Sequence, residues 1–145
     1  MGLATGFFPD RHERRCSVRV LIVDDSPQVA STLEIALSRA GWETACAHDA
    51  LSALDLLSTL PAVDVIVTDL DMPRLDGYAF IAAIRAHPLA SRSAVIVTSG
   101  STADDAESLA FAAGADLYFV KPYSPASVRQ AIELLVDDGR GQVIS

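Results

Sequence analysis

The sequence predicts an α/β domain built on a doubly wound, five-stranded parallel sheet of order 2-1-3-4-5, with helices on both faces. Three observations carry that expectation. From Val18 onward, short apolar runs alternate five times with helical stretches. Most of these runs are rich in Val, Ile or aromatic residues and too short for helices, as strands buried on both faces are. The length, 145 residues with 50% of them apolar and 21% charged, fits one globular domain. Right-handed crossovers leave few topologies, and in this one ligands bind where strands 1 and 3 diverge at their carboxyl ends.

Each element has its own signal. Residues 1–17 show no periodicity and end near the charged run Arg11-His12-Glu13-Arg14-Arg15, so they read as a solvated tail. Residues 18–138 form the domain, and 139–145 a short C-terminal tail. Val18–Val23 is the first strand. Ser26-Pro27, an N-cap followed by proline at the first helical position, opens the first helix, and Gly41 closes it. Its apolar stripe is Val29, Leu33, Ala36, Leu37 and Ala40. Glu43–Ala47 is the weakest strand signal, and Asp49 opens the second helix. Val63–Thr68 is the third strand, and Asp76-Gly77 leads into a third helix with Phe80, Ile81 and Ile84 inward. Ala94–Ser99 is the fourth strand. The fourth helix, about Ala103 to Ala113, closes at Gly114 and turns mainly alanine inward, so it is expected to be the least firmly docked. Leu117–Val120 completes the sheet. Ser124-Pro125 starts the last helix, whose stripe is Val128, Ala131, Ile132 and Leu135.

Composition narrows the function. The 14 Asp and 5 Glu outweigh 10 Arg and a single Lys, for a net charge of −8. Such a chain repels nucleic-acid phosphates unless its arginines are segregated, so no nucleic-acid partner is expected. No apolar run reaches the roughly 18 residues of a membrane span. The N-terminus lacks a signal peptide's apolar core, and Gly6 breaks the myristoylation pattern. Two cysteines, Cys16 and Cys46, fit a reducing compartment better than a disulfide framework. A cytoplasmic protein acting as one domain is the expectation.

The residues at the strand ends carry the chemistry. Asp24 and Asp25 follow the first strand; Asp69, Leu70, Asp71, Met72 and Pro73 follow the third; Ser99 and Gly100 end the fourth; Lys121-Pro122 ends the fifth. Taken singly, an Asp pair is a turn or a cap, Ser99 a turn residue and Lys-Pro uninformative. Their coincidence at one edge of a parallel sheet is not bland. Carboxylates that converge need compensation, and a hard divalent cation with oxygen ligands, Mg²⁺, supplies it. Lys121, the one lysine, suits a point-charge phosphate binder. Together these groups describe in-line phosphoryl transfer to an Asp, with Asp69 the best nucleophile. The sharp turn needed for Lys121 to face Asp69 predicts a cis Lys121–Pro122 bond.

The stretches Val20–Ser26, Val65–Gly77, Val97–Gly100 and Ala113–Pro122 strongly resemble the receiver domain of two-component response regulators, with its flavodoxin-like (βα)5 fold. The resemblance runs from about Arg19 to Val136. It implies that Asp69 accepts a phosphoryl group from a histidine kinase or histidine phosphotransfer protein. It further implies Mg²⁺ ligation by Asp25, Asp69 and the backbone carbonyl of Asp71, with Asp24 acting directly or through water. Lys121 would pair with the phosphoryl group, and Ser99 and Tyr118 would be the switch residues. The output would be a downstream protein or a self-dimer, engaged through the fourth helix, last strand and last helix. Gly100 stands where alanine is commoner, and Asp71 places a carboxylate two residues past the acceptor. Two other classes stay open. Asp69-Leu70-Asp71 also resembles the Asp-x-Asp nucleophile motif of haloacid-dehalogenase-type phosphatases, although that motif normally ends a first strand. A receiver-like module that never takes phosphate is the other.

Overall fold

The computed structural model describes residues 18–73, 76–101 and 105–136. Both tails, Cys16, Arg74, Leu75 and the expected start of the fourth helix at Ala103 lie outside the described residues. In chain order the elements are β1 (Arg19–Val23), α1 (Pro27–Arg39), β2 (Glu43–Ala47), α2 (Ala50–Thr59), β3 (Val65–Asp69), α3 (Gly77–Ala86), β4 (Ala94–Ser99), α4 (Ala106–Ala113), β5 (Leu117–Val120) and α5 (Pro125–Val136). The strands form one parallel sheet in the order β2-β1-β3-β4-β5, as the alternation predicts.

Side chains alternate across that sheet and build two cores. Leu21, Val23, Ile66, Val95 and Val97 meet Ala53 and Leu57 of α2, Phe80, Ile81 and Ile84 of α3, and Ala110 of α4. Val20, Ile22, Val65, Val67 and Ile96 point the other way, onto Ala30, Leu33 and Leu37 of α1 and Val128 and Ile132 of α5. The central strands are wholly buried, whereas in β2 only Ala47 is. An edge strand covered incompletely has no need of a continuous apolar run, which is why Glu43–Ala47 reads weakly.

Three strand boundaries and the α1 stripe differ from expectation, the first being that β1 starts at Arg19 rather than Val18. β3 starts at Val65 rather than Val63 and keeps Asp69 inside the ladder, opposite Thr98. In α1 the inward residues are Ala30, Leu33 and Leu37, while Val29, Ala36 and Ala40 are only half-buried. Val29 instead lines a groove with Pro122, Tyr123 and Pro125.

The helix starts follow their caps. Ser26 Oγ accepts from Val29 N at 3.3 Å, Asp49 from Ser52 N at 2.7 Å, and Asp76 from Tyr78 N and Ala79 N at 3.0 and 3.2 Å. Gly77 is required by crowding, since a Cβ there would lie 2.5 Å from Leu70 Cδ1 and 2.8 Å from the Leu70 carbonyl oxygen. α4 buries only Ala106 and Ala110, with Leu109 and Phe111 exposed. Asp105, at the N-cap position before it, makes no side-chain cap, but the other end of α4 is fastened. All five Arg85 donors are used there: on the Gly114 carbonyl from Nε (3.0 Å) and from a terminal nitrogen (2.6 Å), on the Ser91 and Ser93 carbonyls, and on Asp116 Oδ2 (2.9 Å). Among the described residues, no helix is long and apolar enough to cross a membrane.

Candidate functional site

The carboxyl edge of the sheet gathers the acidic residues because β1 and β3 are neighbours running in one direction. Asp24 is buried just past β1. Its amide donates to the Ala47 carbonyl at 3.1 Å, and its Oδ1 accepts from Ser26 N at 2.9 Å. Asp25, next in the chain, is exposed. Asp69 ends the central strand at 3% exposure. Its Oδ1 accepts from Asp71 N at 2.9 Å. One carboxylate oxygen from each of Asp24, Asp25 and Asp69 lies within 4.8 Å of the others.

Lys121 closes the pocket. The Lys121–Pro122 bond is cis, as the turn required, and Lys121 N donates to the Ser99 carbonyl at 2.7 Å. Its Nζ lies 3.1 Å from Asp69 Oδ2 and 3.3 Å from Asp24 Oδ2. One ammonium thus pairs with two of the three carboxylates. Burial raises the Asp69 pKa, with the charge of Asp24 adding to it and the Asp71 amide and Lys121 opposing. Burial alone would lower the Lys121 pKa, but Asp69 and Asp24 outweigh it and the net shift is upward. Tyr123, which the sequence reading did not single out, also has a raised pKa, from burial and then from the charge of Asp24. Nothing in its motif marks it, because its place beside the pocket comes from the turn at Pro122.

The donor set fits a hard divalent cation. All three groups are carboxylates, their oxygens converge, and a single lysine leaves negative charge uncompensated. Asp25 makes no hydrogen bond or ion pair to another described residue, which leaves its oxygens available.

Ser99 is fully buried, and its hydroxyl is directed at Asp71. Its Oγ donates to Asp71 Oδ2 at 3.0 Å and Oδ1 at 3.2 Å, and Gly100 N donates to Oδ2 at 2.7 Å. Ser99 Oγ in turn accepts from Ser101 N at 3.0 Å, and Tyr118 OH donates to the Ser101 carbonyl at 3.2 Å. Tyr118 is half-buried against the α2–α3–α4 core. Asp71, Ser99 and Gly100 lie at the strand-end edge expected from the sequence, whereas the bond from Ser99 to Asp71 and the link through Ser101 to Tyr118 are marked by no motif.

A parallel α/β sheet carrying an acidic pocket and a lysine at its carboxyl edge defines a class of signalling domain. The comparisons name it: residues 20–133 match the response regulator receiver domain. The chain belongs to that family, whose domains act in signalling and whose members interact with histidine kinases and downstream targets. The transcriptional regulatory protein PrrA of Mycobacterium tuberculosis is 38% identical over 120 residues, covering 83% of this chain and 50% of that protein. The chain spans about half the length of the curated PrrA relatives it matches. Among solved structures, chemotaxis protein CheY4 of Vibrio cholerae is similar at 27% identity and a TM-score of 0.76, covering 81% of this chain and 98% of that one. A response regulator of Burkholderia pseudomallei, solved with a phosphorylated aspartic acid and a calcium ion, is similar at 26% identity and a TM-score of 0.73, covering 86% and 72%.

Proposed function

We propose that Asp69 is the phosphoacceptor of this receiver domain, charged by a histidine kinase or a histidine phosphotransfer protein in a Mg²⁺-dependent reaction. The observation that carries the reading is Asp69 itself, buried at the end of the central strand with Lys121 Nζ at 3.1 Å and the oxygens of Asp24 and Asp25 within 4.8 Å. An oxygen of Asp69 attacks phosphorus, the bond from phosphorus to the donor imidazole breaks, and the imidazole leaves with that electron pair. The Asp71 amide holds Asp69 Oδ1 and so fixes the direction of the other oxygen. Lys121 moves from pairing with a carboxylate to pairing with a phosphoryl oxygen, without leaving the pocket. Asp24, Asp25, Asp69 and the backbone carbonyl of Asp71 would hold Mg²⁺, which supplies charge neutralisation for the transferred oxygens. The phosphorylated aspartic acid and cation in the Burkholderia pseudomallei regulator support this assignment.

The phosphorylated form acts through the surface of α4, β5 and α5, binding a downstream protein or a second copy. Exposed Phe111 and Val120 on that surface and the net charge of −8 favour a protein partner over nucleic acid. Tyr118 carries the change outward: with Tyr118→Ala, phosphate still goes on and the partner response is lost. A response equal to wild type would make Tyr118 simple packing.

Intact mass before and after a small phosphodonor with Mg²⁺ tests the acceptor. Wild type gains one phosphoryl group and Asp69→Asn none. An adduct persisting in full on Asp69→Asn sinks the assignment, and steady turnover of small phosphate esters would favour a hydrolase.

A further inference from the structure

The side chain of Asp71 has no part in phosphate capture as derived above, yet it holds the two donors at the end of β4. Its carboxylate accepts from the Ser99 hydroxyl on both oxygens and from Gly100 N at 2.7 Å. Ser99 is held by its backbone, with Lys121 N on its carbonyl at 2.7 Å, so its hydroxyl can be re-aimed only by turning the side chain. We propose that Asp71 is an internal latch: its carboxylate occupies the Ser99 hydroxyl and the Gly100 amide in the resting state, in direct competition with a phosphoryl group on Asp69. The inference rests on Asp69 as the acceptor.

A serine hydroxyl has one proton and an amide has one, so neither can serve Asp71 fully and a phosphoryl oxygen as well. A phosphoryl group brings acceptor oxygens and negative charge, and it arrives two residues away from Asp71. Lys121 is the donor already at hand. The Ser99 hydroxyl and the Gly100 amide are two further donors at this edge, and both are on Asp71. Their release breaks a chain that continues from Ser99 Oγ to Ser101 N, and from the Ser101 carbonyl to Tyr118 OH at 3.2 Å. Asp71 therefore biases the equilibrium toward the resting arrangement, and phosphorylation must overcome that bias before Tyr118 is freed.

Beryllium fluoride, a tetrahedral phosphoryl mimic, is titrated with Mg²⁺ against wild type, Asp71→Ala, Ser99→Ala and the double variant. Hydrogen bonds to a charged group are worth enough that Asp71→Ala should bind about tenfold more tightly than wild type. In the Ser99→Ala background the same substitution should gain only about threefold or less, because the shared hydroxyl is gone. An equal gain in both backgrounds means plain charge repulsion and overturns the latch. A second readout needs no phosphoryl mimic: Gly100 amide exchange in the resting protein should be about tenfold faster in Asp71→Ala. Unchanged exchange also overturns the latch. Failure of wild type and all three variants to bind beryllium fluoride would overturn the acceptor reading and the latch together, whereas equal affinities overturn the latch alone.

Discussion

Asp69 is kept ionisable in a place that disfavours its charge. Burial and the neighbouring Asp24 lift its pKa above the ordinary carboxylate range. An acid whose folded pKa exceeds its unfolded one destabilises the fold when ionised; the loss vanishes below the unfolded pKa and is complete above the folded one. Metal-free Asp69→Asn should therefore melt higher than wild type at neutral pH. The gap should close as the pH falls below about 4, where the unfolded Asp is protonated as well. Melting curves in EDTA across the acidic range check this, and a gap independent of pH would show that ionisation is not its cause. Cys46 shows the opposite use of burial. Its pKa is raised to about 11, by desolvation first and then by the charge and hydrogen bond of Glu34. Its thiolate at neutral pH is about a hundredfold scarcer than an ordinary thiol's, so in a Cys16→Ser background alkylation should be slower by about that factor than in the unfolded chain.

At the scale of elements, the start of α3 is set by crowding as much as by its cap. Asp76 supplies the cap, and Gly77 lets the helix approach Leu70, one residue past Asp69. Gly77→Ala should cost about 1–3 kcal/mol by overpacking, and the shifted Leu70 should slow phosphorylation of Asp69. Urea unfolding and phosphodonor kinetics measure the two effects. In the sequence Asp76-Gly77 only leads into the third helix, because the collision with Leu70 is a tertiary fact. Asp24, Asp25, Asp69 and Lys121 were legible for a different reason: a parallel sheet sends every strand end to one edge, so their convergence follows from topology. Asp71 and Ser99 lie 28 residues apart, and their bond depends on how two loops are seated, which no local pattern records. The stripe of α1 was misread at Val29 because a residue beside the groove at Pro122 is as apolar as one in the core.

Across the whole molecule the sheet keeps two cores apart, and the acidic pocket sits where both end. A cation bound there relieves repulsion in the folded state only, so millimolar Mg²⁺ should raise the melting temperature of wild type by mass action and that of Asp25→Asn much less. An unchanged wild-type melt would mean the carboxylates do not act as one site. Tyr118 belongs to the core under α2, α3 and α4, whereas Phe119 and Tyr123 belong to the other with α1 and α5. In the proposed switch, a rearrangement at Ser99 and Tyr118 would therefore reach α4 before α5. Arg85 ties the Gly114 carbonyl at the end of α4 to Asp116 and to the Ser91 and Ser93 carbonyls, which would make Gly114 the fulcrum of α4. Under the proposed switch the Asp105 end, which makes no side-chain cap, would travel and the Gly114 end would stay, so a small displacement beside a phosphorylated Asp69 would be read out as an angle.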